Sequence, residues 1–163
     1  MAGFTVVLDD ERTQGALSRL IGATTDMTPL MRDLGEYLIT ATKDRFATGA
    51  GPDGTIWAPK SATTLAAYAR RGDPADLRPL FGPTGSLSKT IFYEAGPTQV
   101  SWGSPMVYAA MMQFGGARAA FPHLWGDIPA RPFIGLSDDD IAAIGEEVEE
   151  WLERAADAGS DAP

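Results

Sequence analysis

Leu30, Leu34, Leu38 and Phe46 fall on one stripe of a 3.6-residue repeat, with Met31 and Ile39 beside it. That spacing predicts a helix of about five turns with one buried face. Thr28 is a plausible N-cap, Pro29 occupies the first helical position, where its missing N–H costs nothing, and Gly49 ends the run. A weaker pattern precedes it: Leu17, Leu20 and Ile21 share one face of a short helix over Asp10 to Ile21, after an edge strand at Phe4 to Leu8. Beyond the turn-rich Gly49–Gly54, Ser61 caps a second helix reaching about Arg71, with Leu65, Ala66, Tyr68 and Ala69 as its apolar positions.

From Gly72 to Ser86, glycine and proline interrupt any regular element. Lys89–Glu94 and Gln99–Trp102 then read as two strands joined by Ala95–Gly96–Pro97–Thr98, a hairpin. Ser104–Pro105 opens a short helix carrying Val107, Tyr108, Met111, Met112 and Phe114, stopped by Gly115–Gly116. Ala117 to Asp127 is a long loop, and Ile128 to Ile134 is extended, since a residue before proline is biased away from helix. Ser137 begins the last helix, with Asp140 completing a capping-box analogue and Ile141, Ile144, Val148, Leu152 and Ala155 marking its buried face. These elements describe one α+β domain over residues 1–163: a small antiparallel-rich sheet flanked by helices, long central loops, an acidic C-terminal helix and a frayed tail at 158–163.

Charge changes this picture in one place. The net charge is −9, and the stretch from Leu136 onward holds ten acids and one base, so the rest of the chain is neutral. Clustered Lys and Arg of the kind that grip nucleic-acid backbone are therefore not expected, and DNA at most passes by. Glu146, Glu147, Glu149, Glu150 and Glu153 form the densest run. A solvated helix face is the plain reading, and an acidic lining for a DNA channel is the sharper one.

Candidate chemistry is sparse. The chain has no cysteine and a single histidine, His123, in a loop. A serine–histidine–acid triad must use it, and no Gly-x-Ser-x-Gly elbow accompanies it, so a surface or interface role is the better reading. Asp138, Asp139 and Asp140 point about 100° apart on a helix and suit capping rather than a metal site. The glycine-rich runs lack the Gly-Lys-Ser/Thr pattern of a phosphate loop. No catalytic residue, cofactor site or metal site is assigned, and no apolar run approaches the ~20 residues that span a bilayer. With no basic start to the chain, export is not expected, and synthesis in a bacterial cytoplasm is the default. The loop residues Phe121 and Trp125 are interface candidates, because exposed aromatic side chains are enriched where proteins meet. A loop folded back over the sheet is the alternative.

Four segments occur in a distinctive order: PDGTIWAPKSATT (Pro52 to Thr64), LFGPTGSLSKTI (Leu80 to Ile91), VSWGSPMVYAAMMQFGG (Val100 to Gly116) and IPARPFIGLSDDD (Ile128 to Asp140). In that order they resemble the phage virion morphogenesis family, the tail-completion proteins of Mu-like phages. Trp57, Gly85, Tyr108, Phe114, Gly115, Arg131, Pro132 and Phe133 are among the matching positions. Met112–Gln113 stands where a histidine–Gln pair is common in the family. The resemblance implies a non-enzymatic virion protein with a β-sheet flanked by helices. It implies a homo-oligomeric ring, a hexamer, at the head-proximal end of the tail, capping the tail tube and preparing it for the head. Its partners would be further copies of itself, the tail tube and the head–tail connector proteins, with no membrane. A connector or minor capsid component on the portal side remains open, as do a soluble binding module and a tail-associated hydrolase. Arg131 is a candidate for an ion pair with a carboxylate, within the chain or across subunits; the plainer alternative is a local anchor for the last helix.

Overall fold

The computed structural model describes residues 10–74, 76–124 and 126–158. The elements run α1 (Glu11–Thr25), α2 (Thr28–Thr48), α3 (Ala62–Arg71), α4 (Ser86–Lys89), β1 (Phe92–Ala95), β2 (Val100–Gly103), α5 (Ala109–Phe114) and α6 (Asp138–Asp157). This is a small α+β fold dominated by helix. The expected strand at Phe4 to Leu8 lies outside the described residues, as does nearly all of the expected frayed tail.

Helix α2 is the axis. It packs against both strands, against α6 and against α4, while α1 lies along α6. Leu30, Leu34, Leu38 and Phe46 are buried as their spacing requires, and Gly49 closes the helix in the left-handed conformation at φ 74°. The N-cap is Met27 rather than Thr28, one residue earlier than expected, because Asp26 Oδ1 accepts the Thr28 N–H at 3.0 Å. Ser61 caps α3, accepting from Thr64 N at 3.2 Å.

The two strands pair antiparallel, Phe92 opposite Gly103 and Ala95 opposite Val100. Gly96 N donates to Gln99 O at 2.8 Å across the turn. Lys89 is not in the strand as expected: Ser86–Lys89 forms a helical turn, entered through Gly85 at φ 62°, and the strand starts at Phe92. The sheet approaches α2 so closely that a Cβ on Gly35 would stand 2.3 Å from the Tyr93 ring.

A core of Phe46, Trp57, Leu80, Leu87, Ile91, Ala109 and Phe133 sits beside the C-terminal half of α2. Phe46 is its centre, meeting Trp57 edge-on at 5.7 Å and the Phe133 ring at 5.3 Å between centroids. Such contacts add ~0.5–1.5 kcal/mol beyond area burial.

Several expected buried positions are on the surface. Leu17 and Ile21 of α1 are 54% and 67% exposed, because among the described residues α1 packs chiefly on α6 and turns one face inward. Ile141 is 57% exposed for a related reason: it follows the cap of α6, where Asp140, not Ile141, faces α2. In α3, Ala66 and Ala69 are exposed, and Leu65 and Tyr68 are half-buried.

Candidate assembly surface

The segment from Ile128 to Gly135 has almost no regular secondary structure, yet it crosses the middle of the molecule. Each stretch of its backbone is held by a side chain or backbone group from another part of the chain. Ile128 exchanges backbone bonds with Gly116, N to O at 2.8 and 2.9 Å. Arg131 N donates to Met112 O at 2.8 Å. Trp57 Nε1 donates to Pro132 O at 3.0 Å. Gln113 Nε2 donates to Ile134 O at 2.8 Å, and Gln113 Oε1 accepts from Phe133 N and Ile134 N at 2.9 and 3.0 Å. Arg45 Nη1 donates to Phe133 O and Gly135 O at 3.2 and 2.8 Å. A buried amide left unpaired costs ~1–3 kcal/mol, so these contacts let an irregular strap lie inside the fold.

Gly115 makes the approach possible. It stands at φ 71°, and a Cβ there would lie 2.7 Å from both Ala130 N and Ile128 O. The sequence motif around Gly115 and the one around Arg131 are thus two sides of a single contact.

Asp140, the third residue of α6, gathers the other end of the strap. It completes a capping box with Ser137, whose N and Oγ each donate to Asp140 Oδ2 at 2.7 Å. Tyr37 Oη donates to Oδ1 at 3.0 Å, and Arg45 Nη2 forms a buried ion pair with Oδ2. Burial alone would raise the Asp140 carboxyl. The bonds from Ser137 and Tyr37 and the Arg45 charge outweigh it, leaving the carboxyl below its ordinary value. Burial, then the bond to Asp140, raises the Tyr37 hydroxyl.

Arg131 makes no ion pair within the chain among the described residues. It is 6% exposed, and its partners are carbonyls, not a carboxylate: Nε donates to Ala58 O at 2.7 Å and Nη2 to Pro59 O at 2.9 Å. The ion pair belongs to Arg45 instead. Burial lowers the Arg131 guanidinium. It lines a cleft of about 480 Å³ walled by α3, the loop at 79–84, α4 and the strap. Lys60 lines the same cleft, bridging Asp76 O and Phe81 O. Burial lowers its ammonium; the Asp76 charge opposes that shift, and repulsion from Arg78 and Arg131 adds to it.

The exposed surface carries the remaining candidates. Val107, two residues before α5, is 100% exposed, Phe114 at the C-terminal end of α5 is 78% exposed, and the N-cap Tyr108 is half out at 46%. Phe121 packs toward Gly116 and keeps 40% of its surface exposed, with His123 edge-on at 6.3 Å. Trp125, the other loop candidate, lies outside the described residues. Glu146, Glu149, Glu150 and Glu153 share the exposed face of α6, opposite the half-buried Ile144, Val148, Trp151 and Leu152. Glu147 is set apart, pairing with Arg154 at 3.0 Å. Among the described residues no group of three or more acids and histidines is placed to hold a metal ion, and no helix is long and apolar enough to cross a membrane.

The motif residues thus divide into a buried set, Trp57, Gly85, Arg131 and Phe133 with the half-buried Pro132, and an outward set, Tyr108 and Phe114. Arg45, Gln113 and Tyr37 escaped the sequence reading. Arg45 did carry a signal, since it sits one residue from Phe46 on the buried side of α2.

The model of the phage virion morphogenesis family matches residues 8–153. The putative capsid assembly protein G of Escherichia phage Mu is 34% identical over 133 residues, 80% of this chain and 82% of that protein. The Mu-like prophage FluMu G protein 2 of Haemophilus influenzae is 30% identical over 138 residues, 85% and 87% of the two chains. No solved structure matches the chain.

Proposed function

The chain belongs to the phage virion morphogenesis family, and from that premise we propose that it completes the phage tail. In this reading it is a structural subunit, not an enzyme, that forms a closed ring at the head-proximal end of the tail tube and readies it for the head. The observation that carries the reading is the outward apolar set on a fixed frame. Val107 is 100% and Phe114 78% exposed, while Gly115, the residue after Phe114, is locked against the strap. A large side chain held rigidly outside the core suits an interface, because ordering it costs little when a partner arrives. A ring needs two different complementary surfaces on each copy.

A second reading has a specific support. The Mu relative is named as a putative capsid assembly protein, which favours a place on the portal side. Deleting the gene in a phage that carries this chain separates the two. Filled heads beside free, unjoined tails in electron micrographs, with gold-labelled antibody on the head-proximal tail end, support tail completion. Absent or aberrant heads with normal tails overturn it and favour the capsid reading.

A further inference from the structure

The cleft beside Arg131 is built like a receptor for carboxylates. Two cations, Arg131 and Lys60, stand close enough to repel one another, and neither has a carboxylate hydrogen-bonded to it among the described residues. Arg131 is more than nine-tenths buried, with Nε and Nη2 held by carbonyls and Nη1 without a partner among the described residues. Asp127 at the rim receives Arg118 N at 2.8 Å, and Asp76 is paired with Arg78 at 2.5 Å. Asp127 lines the cleft and the Asp76 charge reaches Lys60, but neither is hydrogen-bonded to the buried Arg131 guanidinium, so an incoming carboxylate would add a charge-assisted bond there.

The complementary surface is on the same chain. All of the net charge of −9 lies from Leu136 onward, and α6 turns Glu146, Glu149, Glu150 and Glu153 outward on one stripe. Within the chain the stripe cannot serve the cleft, because the opposite face of the same helix is committed to packing on α1 and α2. At about 480 Å³ the cleft admits side chains but not a helix ~10–12 Å across, so the helix would lie over the mouth and insert its acids.

We propose that the cleft of one copy receives the glutamate stripe of α6 from the next copy, as the head-to-tail contact of the assembly. The contact is heterologous, which is the kind that closes rings. It rests on the reading of the chain as a self-assembling subunit.

Two full-length variants test it. Thr84→Glu places an acid at the exposed cleft rim and leaves α6 intact. Glu149→Lys with Glu153→Lys reverses the stripe and leaves the cleft intact; Glu149→Gln with Glu153→Gln is the milder backup should that chain fail to fold. Light scattering over a range of concentrations reads the mass, and circular dichroism checks the fold. The expected result is a ring from the parent chain, monomers from each variant alone, and a one-to-one dimer from their mixture, because only one good cleft and one good stripe then remain. Rings from either variant alone would overturn the contact and leave the ring reading standing. A mixture that stays monomeric would overturn it too. A parent chain that is monomeric at every concentration overturns the contact in solution, whereas the gold-label position on the virion still decides the place in the tail. Binding of inorganic phosphate or DNA to the cleft, unchanged by reversing α6, would make it an anion site of another kind and overturn the proposal.

Discussion

Arg45 and Asp140 are 95 residues apart in sequence and form a buried ion pair that joins the last turn of α2 to the first turn of α6. The pair is not isolated. Arg45 also holds two carbonyls of the strap, and Asp140 also caps its own helix and receives Tyr37. One guanidinium and one carboxylate thus fix the relative placement of two helices and the segment between Phe133 and Ser137.

Removing one partner of such a pair leaves the other charged and buried, so Asp140→Asn is expected to cost ~3–5 kcal/mol at neutral pH. The pH dependence follows from the lowered Asp140 carboxyl. Its stabilisation is fully present above the ordinary carboxylate value of ~3.9, and it is lost as pH falls through the lower folded value, because the unfolded chain binds the proton first. Urea denaturation at pH 7 and pH 3 checks this: the variant's stability should fall less between the two than the parent's.

Gly115 tolerates no side chain. Gly115→Ala adds a Cβ 2.7 Å from two backbone atoms of the strap at a positive φ, and a loss of more than ~1 kcal/mol is expected. For a domain of this size that is a fall in melting temperature of at least ~2–4 °C. Gly22→Ala, in an exposed helical position with nothing near its Cβ, should instead raise stability by ~0.4–1 kcal/mol.

Gln113 gives one donor and one shared acceptor to three backbone groups of the strap. Gln113→Leu keeps the shape and leaves those groups unpaired, for an expected loss of ~2–4 kcal/mol. Gln113→Glu keeps the acceptor; ionised, it sets an oxygen against Ile134 O, but protonated it can donate there as the amide does, so it should be milder than Gln113→Leu at pH 4. Equal losses in the two variants, measured by thermal melting, would deny the acceptor its part.

Phe114 should behave in the opposite way. Phe114→Ser removes an exposed ring, so the melting temperature of the monomer is expected to stay within ~2 °C while self-association weakens at least about tenfold, or ~1.4 kcal/mol. Sedimentation velocity reads the second quantity and calorimetry the first.

Wherever the chain makes its own local bonds, the sequence was enough. The stripe Leu30–Leu34–Leu38–Phe46, the cap at Ser61 and the capping box at Ser137 each follow from residues within one helix, and those three helices stand where the pattern puts them, whereas the turn Ser86–Lys89 went unseen and α5 begins at Ala109, not behind Ser104–Pro105. The assignment to the family was equally legible, carried by four motifs in order. Burial at α1 and at Ile141 was not, because an apolar residue at helical spacing is buried only if another element covers it. Nor was the pairing of Arg45 rather than Arg131 with an acid. Both arginines flank aromatic residues of the core, and only the path of the strap brings Asp140 to one and the carbonyls of Ala58 and Pro59 to the other. The sequence by itself determined the three long helices α2, α3 and α6 to within a residue at their starts, and the concentration of negative charge in the last one, since those depend on neighbours in the chain. Only the tertiary structure decided which side chains hold the strap and that Lys60 and Arg131 bond to carbonyls, because hydrogen bonds to an irregular backbone follow no period that a sequence can display.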